Sequence, residues 1–170
     1  TMESDPFAEV SPDGQWLSVF RRSTSTTHVF PRTGDPAESI QIGGVNGRFS
    51  RDGRWIVLEG GGPLLAFDLE AIPGPPVVLP GTAFQPLFGS QDPVTGARTL
   101  LWRGGGADKT SPDVVMGTLQ GREIGEVRPL VTGLRDVPIT VNSMDVAPDG
   151  RIVLVRFVER SSEIWLLEAR

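Results

Sequence analysis

Three charged residues hold equivalent places in three copies of a repeated phrase. Glu9, Arg48 and Asp145 each lie two residues before the Ser or Ala that opens a turn. Two carboxylates that flank a glycosidic bond can act as acid and as base or nucleophile, so Glu9 and Asp145 are candidates for glycoside chemistry. With Arg48 added, the three would instead bind a small acidic or basic ligand or the end of a peptide. A structural ion pair or plain solvation explains the same residues, and the sequence leaves these interpretations open.

Other catalytic arrangements lack the residues that they need. His28 is the only histidine, no G-x-S-x-G elbow occurs and the chain has no cysteine, so neither a Ser-His-Asp triad nor a cysteine nucleophile is supported. A transition-metal site would need carboxylates alone, and no D-x-D-x-D-G calcium loop is present. The glycine runs 60–62 and 104–106 are not followed by Lys-Ser or Lys-Thr, as a phosphate-binding loop would be. We therefore expect no catalysis, no metal and no cofactor in this chain.

The repeated phrase predicts the elements that position these residues. Its copies are Ser11–Gly14, Ser50–Gly53 and Ala147–Gly150, and a Trp or Ile stands two residues after each glycine. Pro at the second position of a type I turn already has the required φ, Asp suits the third position, and Gly closes the turn in the left-handed conformation. This combination is typical of a three-residue hairpin with a bulge, so each copy is predicted to join two antiparallel strands.

Short apolar runs around each turn predict four strands per repeat. The segment before the turn is half apolar, and the segment after it is dense in β-branched and aromatic residues, which is typical of a strand buried on both faces. A third apolar run follows the repeated phrase in each copy, and a fourth follows in the first two. The tryptophans fall in second or third strands, so we expect core packing between repeats rather than sugar stacking. They are Trp16, Trp55, Trp102 and Trp165.

A degenerate repeat completes the series between the second and last copies. Its turn would be Asp92–Gly96, and the turn glycines at 14, 53, 96 and 150 are then 39, 43 and 54 residues apart. The first two intervals match a four-stranded propeller blade of about 40–45 residues. We predict an all-β propeller, or part of one, with about four four-stranded antiparallel blades in a single domain over residues 1–170. The predicted blades are residues 7–43, 44–82, 83–133 and 140–170.

The phrase S/A-P-D-G-x-W/I and the Ile-Trp-Leu-Leu run at 164–167 resemble the WD40-like propeller repeat of bacteria, as found in the TolB C-terminal domain. The stretch from Pro129 to Trp165 most resembles the last blade of propellers that form the sensor domains of bacterial Ser/Thr kinases. The resemblance implies a non-catalytic binding, sensing or protein-interaction module in the C-terminal part of a larger bacterial protein. The alternatives are a TolB-like periplasmic scaffold and the gating propeller of a prolyl-oligopeptidase-type hydrolase. The resemblance also favours a periplasmic or extracellular location.

The predicted fold also indicates where a partner would bind. First strands line the central channel of a propeller, so Glu9, Arg48 and Asp145 are predicted to line one level of that channel. A protein or small-ligand partner would bind there or across a rim of loops. The net charge is −5, with 16 basic residues scattered among 21 acidic ones, so no nucleic-acid surface is predicted. No apolar run approaches the ~20 residues of a membrane span, so we expect no membrane insertion by this segment.

The last repeat has three strands before Arg170 and lacks an outer fourth one. One interpretation is the C-terminal part of a larger propeller, whose open blade edges would pair with another chain. The other interpretation is a closed ring of four blades. The missing outer strand and the family resemblance favour the first, which predicts self-association.

Overall fold

The chain folds almost entirely into antiparallel β-strands. Within the described residues the helical structure is one short 3-10 turn, Leu69–Ala71, and no helix there is long and apolar enough to cross a membrane. The predicted all-β class is confirmed. The structure is a computed structural model that describes residues 7–34, 39–43, 45–59, 63–72, 74–104, 114–131, 140–146, 151–158 and 161–167.

The strands coincide with the predicted apolar runs and extend beyond them at several ends. Two compact units divide the chain, residues 1–80 and residues 81–170. The strands of the first unit are β1 (Phe7–Val10), β2 (Trp16–Arg21), β3 (Thr26–Pro31), β4 (Ile40–Gly43), β5 (Val45–Phe49), β6 (Trp55–Glu59) and β7 (Pro63–Asp68). A long strand, β8 (Val77–Gln91), runs from the first unit into the second, and it is followed by β9 (Arg98–Gly104), β10 (Val114–Gln120), β11 (Glu123–Val131), β12 (Thr140–Val146), β13 (Ile152–Val158) and β14 (Ser161–Leu167).

Each repeat is a meander of neighbouring antiparallel strands. The first sheet has the order β1-β2-β3-β4, and the last described sheet has the order β12-β13-β14. Between them the hydrogen-bonded order runs from β5 to β11 without interruption, because β8 ends one repeat and begins the next. Four-stranded antiparallel meanders of this kind are the blades of a β-propeller. The grouping of all four repeats in one domain stays a prediction.

Strand β8 differs from the sequence prediction, which placed separate strands at 76–79 and 85–88. The structure keeps the intervening residues extended, so the two form one strand. The Pro80-Gly81 pair between them is a common turn signal, but the backbone stays extended through it. The pairing with β9 shifts register between Phe84 and Leu87 and again between Phe88 and Gln91, which is how a bulged strand changes direction without a turn.

The first turn is closed by a network of side-chain and backbone hydrogen bonds. The Ser11 amide donates to the Trp16 carbonyl at 2.9 Å, and the Gly14 amide donates to the Ser11 carbonyl at 2.8 Å. The Ser11 hydroxyl donates to Asp13 Oδ1 at 2.5 Å and accepts from the Trp16 amide at 2.9 Å. Asp13 Oδ1 also accepts from the Gln15 amide at 3.1 Å. The closing pair leaves residues 12–15 in the loop, so the predicted three-residue hairpin is wrong, because serine and aspartate stabilise a longer loop.

The second turn repeats this network residue by residue. The Ser50 hydroxyl donates to Asp52 Oδ1 at 2.6 Å and accepts from the Trp55 amide at 2.9 Å. The Gly53 amide donates to the Ser50 carbonyl at 2.9 Å. The glycines of the two turns have φ of 70° and 75°, the left-handed conformation that the phrase predicts. Arg51 in place of proline leaves the hydrogen-bond pattern unchanged.

The degenerate repeat uses a different turn at its predicted place. Asp92 Oδ1 accepts hydrogen bonds from the amides of Val94 at 2.8 Å and Thr95 at 2.9 Å, and these bonds lower the pKa of the Asp92 carboxyl. The Gly96 amide donates to the Asp92 carbonyl at 2.9 Å, and Gly96 has a φ of 71°. Asp92 therefore replaces the serine–aspartate pair with a single carboxylate. The third copy of the phrase, 147–150, lies outside the described residues.

The core of the first unit lies between its two sheets. Val29 and Ile42 of the first sheet pack with Phe49, Ile56 and Phe67 of the second sheet. Ile56 is fully buried, as are its neighbours in β6, so the prediction of burial on both faces is confirmed for this strand. Strand β2 alternates between buried and partly exposed residues instead. The sheets therefore stack face to face, and aliphatic and aromatic side chains fill the space between them.

The tryptophans follow the predicted core positions where their side chains are described. Trp55 and Trp102 are buried, with 3% and 2% of their surface exposed. Trp16 is half-buried and packs against the core of the first unit, whereas the side chain of Trp165 lies outside the described residues. Gly117 of β10 lies against the Trp102 ring, and a Cβ there would stand 2.8 Å from Cη2. Core packing, rather than sugar stacking, explains Trp55 and Trp102.

The two turns of the first unit also touch each other. A Cβ on Gly53 would overlap the Asp13 carboxylate, whereas a Cβ on Gly14 meets no described atom within 4 Å. The Asp13 carboxylate thus accepts hydrogen bonds within its own turn and also occupies the space beside Gly53 of the next turn. This contact makes the two otherwise equivalent glycines different.

We predict that Gly53→Ala destabilises the protein more than Gly14→Ala. Both substitutions put alanine at a left-handed φ, which costs about 1 kcal/mol. Gly53→Ala adds an overlap with Asp13 that costs a further ~1 kcal/mol or more. Urea denaturation of both variants measures the difference. The additional destabilisation by Gly53→Ala should vanish when Asp13 is replaced by alanine. If the difference between the two glycine variants stays the same in that background, the contact between the turns is contradicted.

Candidate functional site

Glu9 lies on the first strand of the first repeat and is half-buried. It stands opposite Ser18 in the β1–β2 pairing. Burial raises the pKa of the Glu9 carboxyl above its ordinary value of 4.5, and the positive charge of Arg48 offsets part of that rise. Desolvation of the carboxylate is therefore the larger effect. The protonated form of Glu9 persists to higher pH than that of an exposed glutamate.

Arg48 occupies the equivalent position on β5 and is exposed to solvent. It pairs with Val57, and its charge reaches Glu9 through space. Among the described residues, Glu9 and Arg48 form no direct salt bridge with each other within 4.0 Å, so their interaction is a longer-range one. The structure thus brings these two residues into electrostatic range of each other.

Asp145 lies on β12 opposite Val153, at the first-strand position that the repeat predicts. It belongs to the second unit, and its side chain lies outside the described residues. Of the three predicted residues, the structure therefore describes the side chains of Glu9 and Arg48. The channel-lining role of all three stays a prediction.

Glu9 and Arg48 together can donate, accept and carry charge. A half-buried carboxyl with a raised pKa keeps its proton to higher pH than an exposed one, and a guanidinium can bind anions. Among the described residues, no group of three or more His, Cys, Asp or Glu side chains could hold a metal ion. His28 stacks on Phe30, with ring centroids 5.8 Å apart and planes 8° from parallel, so its ring is engaged in an aromatic contact.

We predict that NMR titration finds the pKa of Glu9 above 4.5 and that Arg48→Gln raises this pKa further, because the offsetting positive charge is removed. Arg22→Gln, at an exposed site in the same unit, is the control and should leave the pKa of Glu9 unchanged. A lower pKa for Glu9 in the Arg48→Gln variant would contradict the electrostatic coupling.

The sign of the resulting pH dependence follows from the raised pKa. Because the folded-state pKa exceeds the unfolded one, ionisation of Glu9 costs stability. The stability that protonated Glu9 contributes is fully present below its pKa in the unfolded chain and is lost as the pH rises through its pKa in the folded protein. Glu9→Gln should therefore unfold at a higher temperature than wild type at pH 7, and the two should approach each other at low pH.

A cluster around Arg54 is a feature that the sequence analysis missed. Arg54 Nε and Nη2 donate to the two carboxylate oxygens of Asp68 at 3.2 and 2.9 Å, and Nη1 lies 3.3 Å from Glu70. The Asp68 hydrogen bonds raise the pKa of Arg54. Asp68 also accepts from the Glu70 amide at 3.2 Å. The hairpin register, which places Asp68 opposite Trp55, is the signal that would have found this pair.

Asp68→Ala should destabilise the protein by about 1–2 kcal/mol, because it removes a two-pronged, charge-assisted contact and the cap of the 3-10 turn. Glu70→Gln is the control, since the Glu70 side chain is 68% exposed and an exposed ion pair contributes ~0.5 kcal/mol or less. Chemical denaturation measures both. Equal losses in the two variants would contradict the structural role of Asp68.

One face of the first sheet carries a patch of apolar side chains, and none of those described is fully buried. Cross-strand pairs place its members on the same side of β1, β2 and β3. Val10 is 62% exposed, and the others are exposed or half-buried. We call this surface the open face; its residues are Ala8, Val10, Leu17, Val19, His28 and Phe30.

The equivalent residues of the second sheet are almost fully covered. Phe49 and Phe67 take the places of Val10 and Phe30, and they are 9% and 6% exposed. Ile56 and Leu58 take the places of Leu17 and Val19, and they are 0% and 1% exposed. The cover is the opposite face of the first sheet, which we call the packed face; its residues are Trp16, Val29, Ile40 and Ile42. The open face therefore has the composition of a buried face, whereas its described side chains are exposed or half-buried.

Comparison with known proteins identifies structures of similar fold but no protein family. No protein-family model and no curated protein matches the chain. Among solved structures, the chain is similar to a eukaryotic initiation factor, with a TM-score of 0.58, 12% identity and coverage of 95% of this chain and 42% of that one. It is also similar to hydrazine synthase from Kuenenia stuttgartiensis, with a TM-score of 0.56, 12% identity and coverage of 97% of this chain and 51% of that one.

The WD40 domain of SCAP from fission yeast also matches, with a TM-score of 0.46, 10% identity and coverage of 98% of this chain and 42% of that one. The chain thus spans about half the length of the solved chains that it matches, or less. The four-stranded antiparallel meanders agree with the predicted blades. The chain is an all-β protein of the β-propeller type.

Proposed function

We propose that the chain is a non-catalytic protein-binding module of the β-propeller type within a larger protein. The observation that carries this proposal is the open face, where five apolar side chains and His28 lie side by side on one sheet. Contiguous apolar surface that remains exposed on a folded domain is typical of an interaction site. A sheet face with contiguous apolar side chains suits another protein surface, whereas small-molecule sites are concave.

The described polar residues support a structural rather than a catalytic role. The carboxylates of Asp13 and Asp52 accept hydrogen bonds inside their turns, and the carboxylate of Asp68 binds Arg54. His28 packs on Phe30. Glu9 is the described carboxyl with a raised pKa, and it pairs with no described nucleophile. These contacts favour binding over catalysis.

The family resemblance adds a finer proposal about the larger protein, the sensor domain of a bacterial Ser/Thr kinase. The full-length gene tests it. A kinase domain and one membrane helix upstream of residues 1–170 would support this context. A downstream hydrolase domain with a G-x-S-x-G elbow, or a secreted envelope scaffold, would overturn it without affecting the proposed binding role.

We predict that the open face is required for capture of a partner protein. Immobilised wild-type chain and its Val10→Glu variant are exposed to lysate of the source organism, and bound proteins are quantified by mass spectrometry. The charge should abolish capture, because a carboxylate in an apolar interface loses its hydration. Val78→Glu is the matched control, since Val78 is 56% exposed and Val10 is 62% exposed.

Capture should be the same for wild type and Val78→Glu. Retention of every bound protein by Val10→Glu would overturn the proposed binding face. Thermal unfolding followed by circular dichroism checks that both variants fold. A broad panel of hydrolase substrates tests the second half of the proposal, and turnover that survives in Val10→Glu but is lost in Glu9→Gln would show that the chain is an enzyme.

A further inference from the structure

Each of the two described Ser-x-Asp-Gly turns contains an Asp-Gly pair, at residues 13–14 and 52–53. We propose that Asp13 and Asp52 are latent sites of isoaspartate formation, and that the serine hydroxyl of each turn keeps its Asp-Gly pair from reacting. This covalent modification goes beyond the proposed binding function and does not depend on it, since it involves only atoms of residues 11–16 and 50–55.

Isoaspartate forms when the backbone nitrogen of the following residue attacks the side-chain carboxyl carbon of an aspartate. The new N–Cγ bond closes a succinimide ring, and the carboxyl hydroxyl leaves as water with the proton of that nitrogen. A water molecule then breaks one of the two ring C–N bonds. One product is the original aspartate, and the other is isoaspartate, in which the main chain runs through Cγ. Glycine hinders the attack least, because it has no side chain.

The attacking nitrogen of each pair is engaged in the hydrogen bond that closes the turn. The Gly14 amide donates to the Ser11 carbonyl at 2.8 Å, and the Gly53 amide donates to the Ser50 carbonyl at 2.9 Å. Attack requires this nitrogen to give up its proton and to reach the aspartate side chain. Each turn must therefore open locally before its Asp-Gly pair can react.

The carboxylate of each pair is held by two donors of its own turn. Asp13 Oδ1 accepts from the Ser11 hydroxyl at 2.5 Å and from the Gln15 amide at 3.1 Å. Asp52 is held in the same way, at 2.6 and 3.3 Å. Closing the succinimide ring changes the side-chain and backbone torsions of the aspartate, and these hydrogen bonds oppose both rotations. The serine hydroxyl is thus a positioning group that protects the pair.

Isomerisation would damage the turn in which it occurs. In isoaspartate an additional methylene carbon enters the main chain, and the remaining carboxylate is attached directly to Cα. At Asp13 this change lengthens the loop between β1 and β2 and displaces the carboxylate that lies beside Gly53. Modification of Asp13 is therefore expected to disturb both turns of the first unit.

Ageing of the purified chain at physiological temperature and pH tests this protection. Chymotrypsin, which cleaves after Phe and Trp, places the two Asp-Gly pairs in separate peptides, residues 8–16 and 50–55. An isoaspartyl peptide has the mass of the original and elutes separately, so mass spectrometry after chromatography quantifies it. Ser11→Ala should accelerate isoaspartate formation at Asp13 by about tenfold, the opening expected from a lost hydrogen bond or two.

The two turns are matched controls for each other in the same sample. Ser11→Ala should leave the rate at Asp52 unchanged, and Ser50→Ala should accelerate Asp52 and leave Asp13 unchanged. In concentrated urea, wild type and both variants should form isoaspartate at one common, faster rate, because the turns are then open.

Three outcomes would overturn the protective role of the hydroxyls. The first is an unchanged rate at the aspartate of the substituted turn. The second is equal acceleration of both aspartates in each variant, which indicates general unfolding instead of local opening. The third is a wild-type chain that reacts as fast in buffer as in urea.

Discussion

The hydrogen bonds of the Ser-x-Asp-Gly turn fix the register on which the first unit depends. In both copies of the first unit, the serine hydroxyl donates to the aspartate and accepts from the amide of the following tryptophan. Strand side chains alternate between two faces, so a slip of one residue would exchange the faces of the sheet. The observed register puts Val29 on the packed face and Leu17 on the open face. The same few bonds thus determine both the core and the candidate binding surface.

The contact between the two turns shows that the repeats are coupled at their polar edge as well as in their core. The Asp13 carboxylate lies beside Gly53, where any side chain would overlap it. A glycine with positive φ offers an open Cα to its surroundings, and a neighbouring turn can occupy that space. The phrase therefore has two physical functions. It reverses the chain within its own repeat, and in the first repeat its aspartate packs beside the turn glycine of the second repeat.

Two pairs of charged residues differ in their geometry: one forms a direct structural contact, and the other interacts only over a longer distance. Arg54 holds Asp68 through two hydrogen bonds at the end of a hairpin, where both groups are satisfied. Glu9 and Arg48 act on each other without contact, and burial keeps the pKa of Glu9 raised. The repeat spacing in the sequence identified Glu9 and Arg48, but it did not reveal the contact between Arg54 and Asp68. Repeat equivalence reveals residues on corresponding strands, whereas Arg54 and Asp68 meet only once the hairpin register is known.

The sequence by itself determined the all-β class, the turn positions, most strands and the burial of Trp55 and Trp102, because these follow from local propensity and a short apolar period. The loop length of the first turn and the continuity of β8 came from specific hydrogen bonds and from an extended linker. Only the tertiary structure decided which face of the first sheet packs against the second sheet. Both faces of the first sheet are apolar, and a strand pattern cannot say which of two apolar faces meets a partner, since that depends on residues distant in the chain.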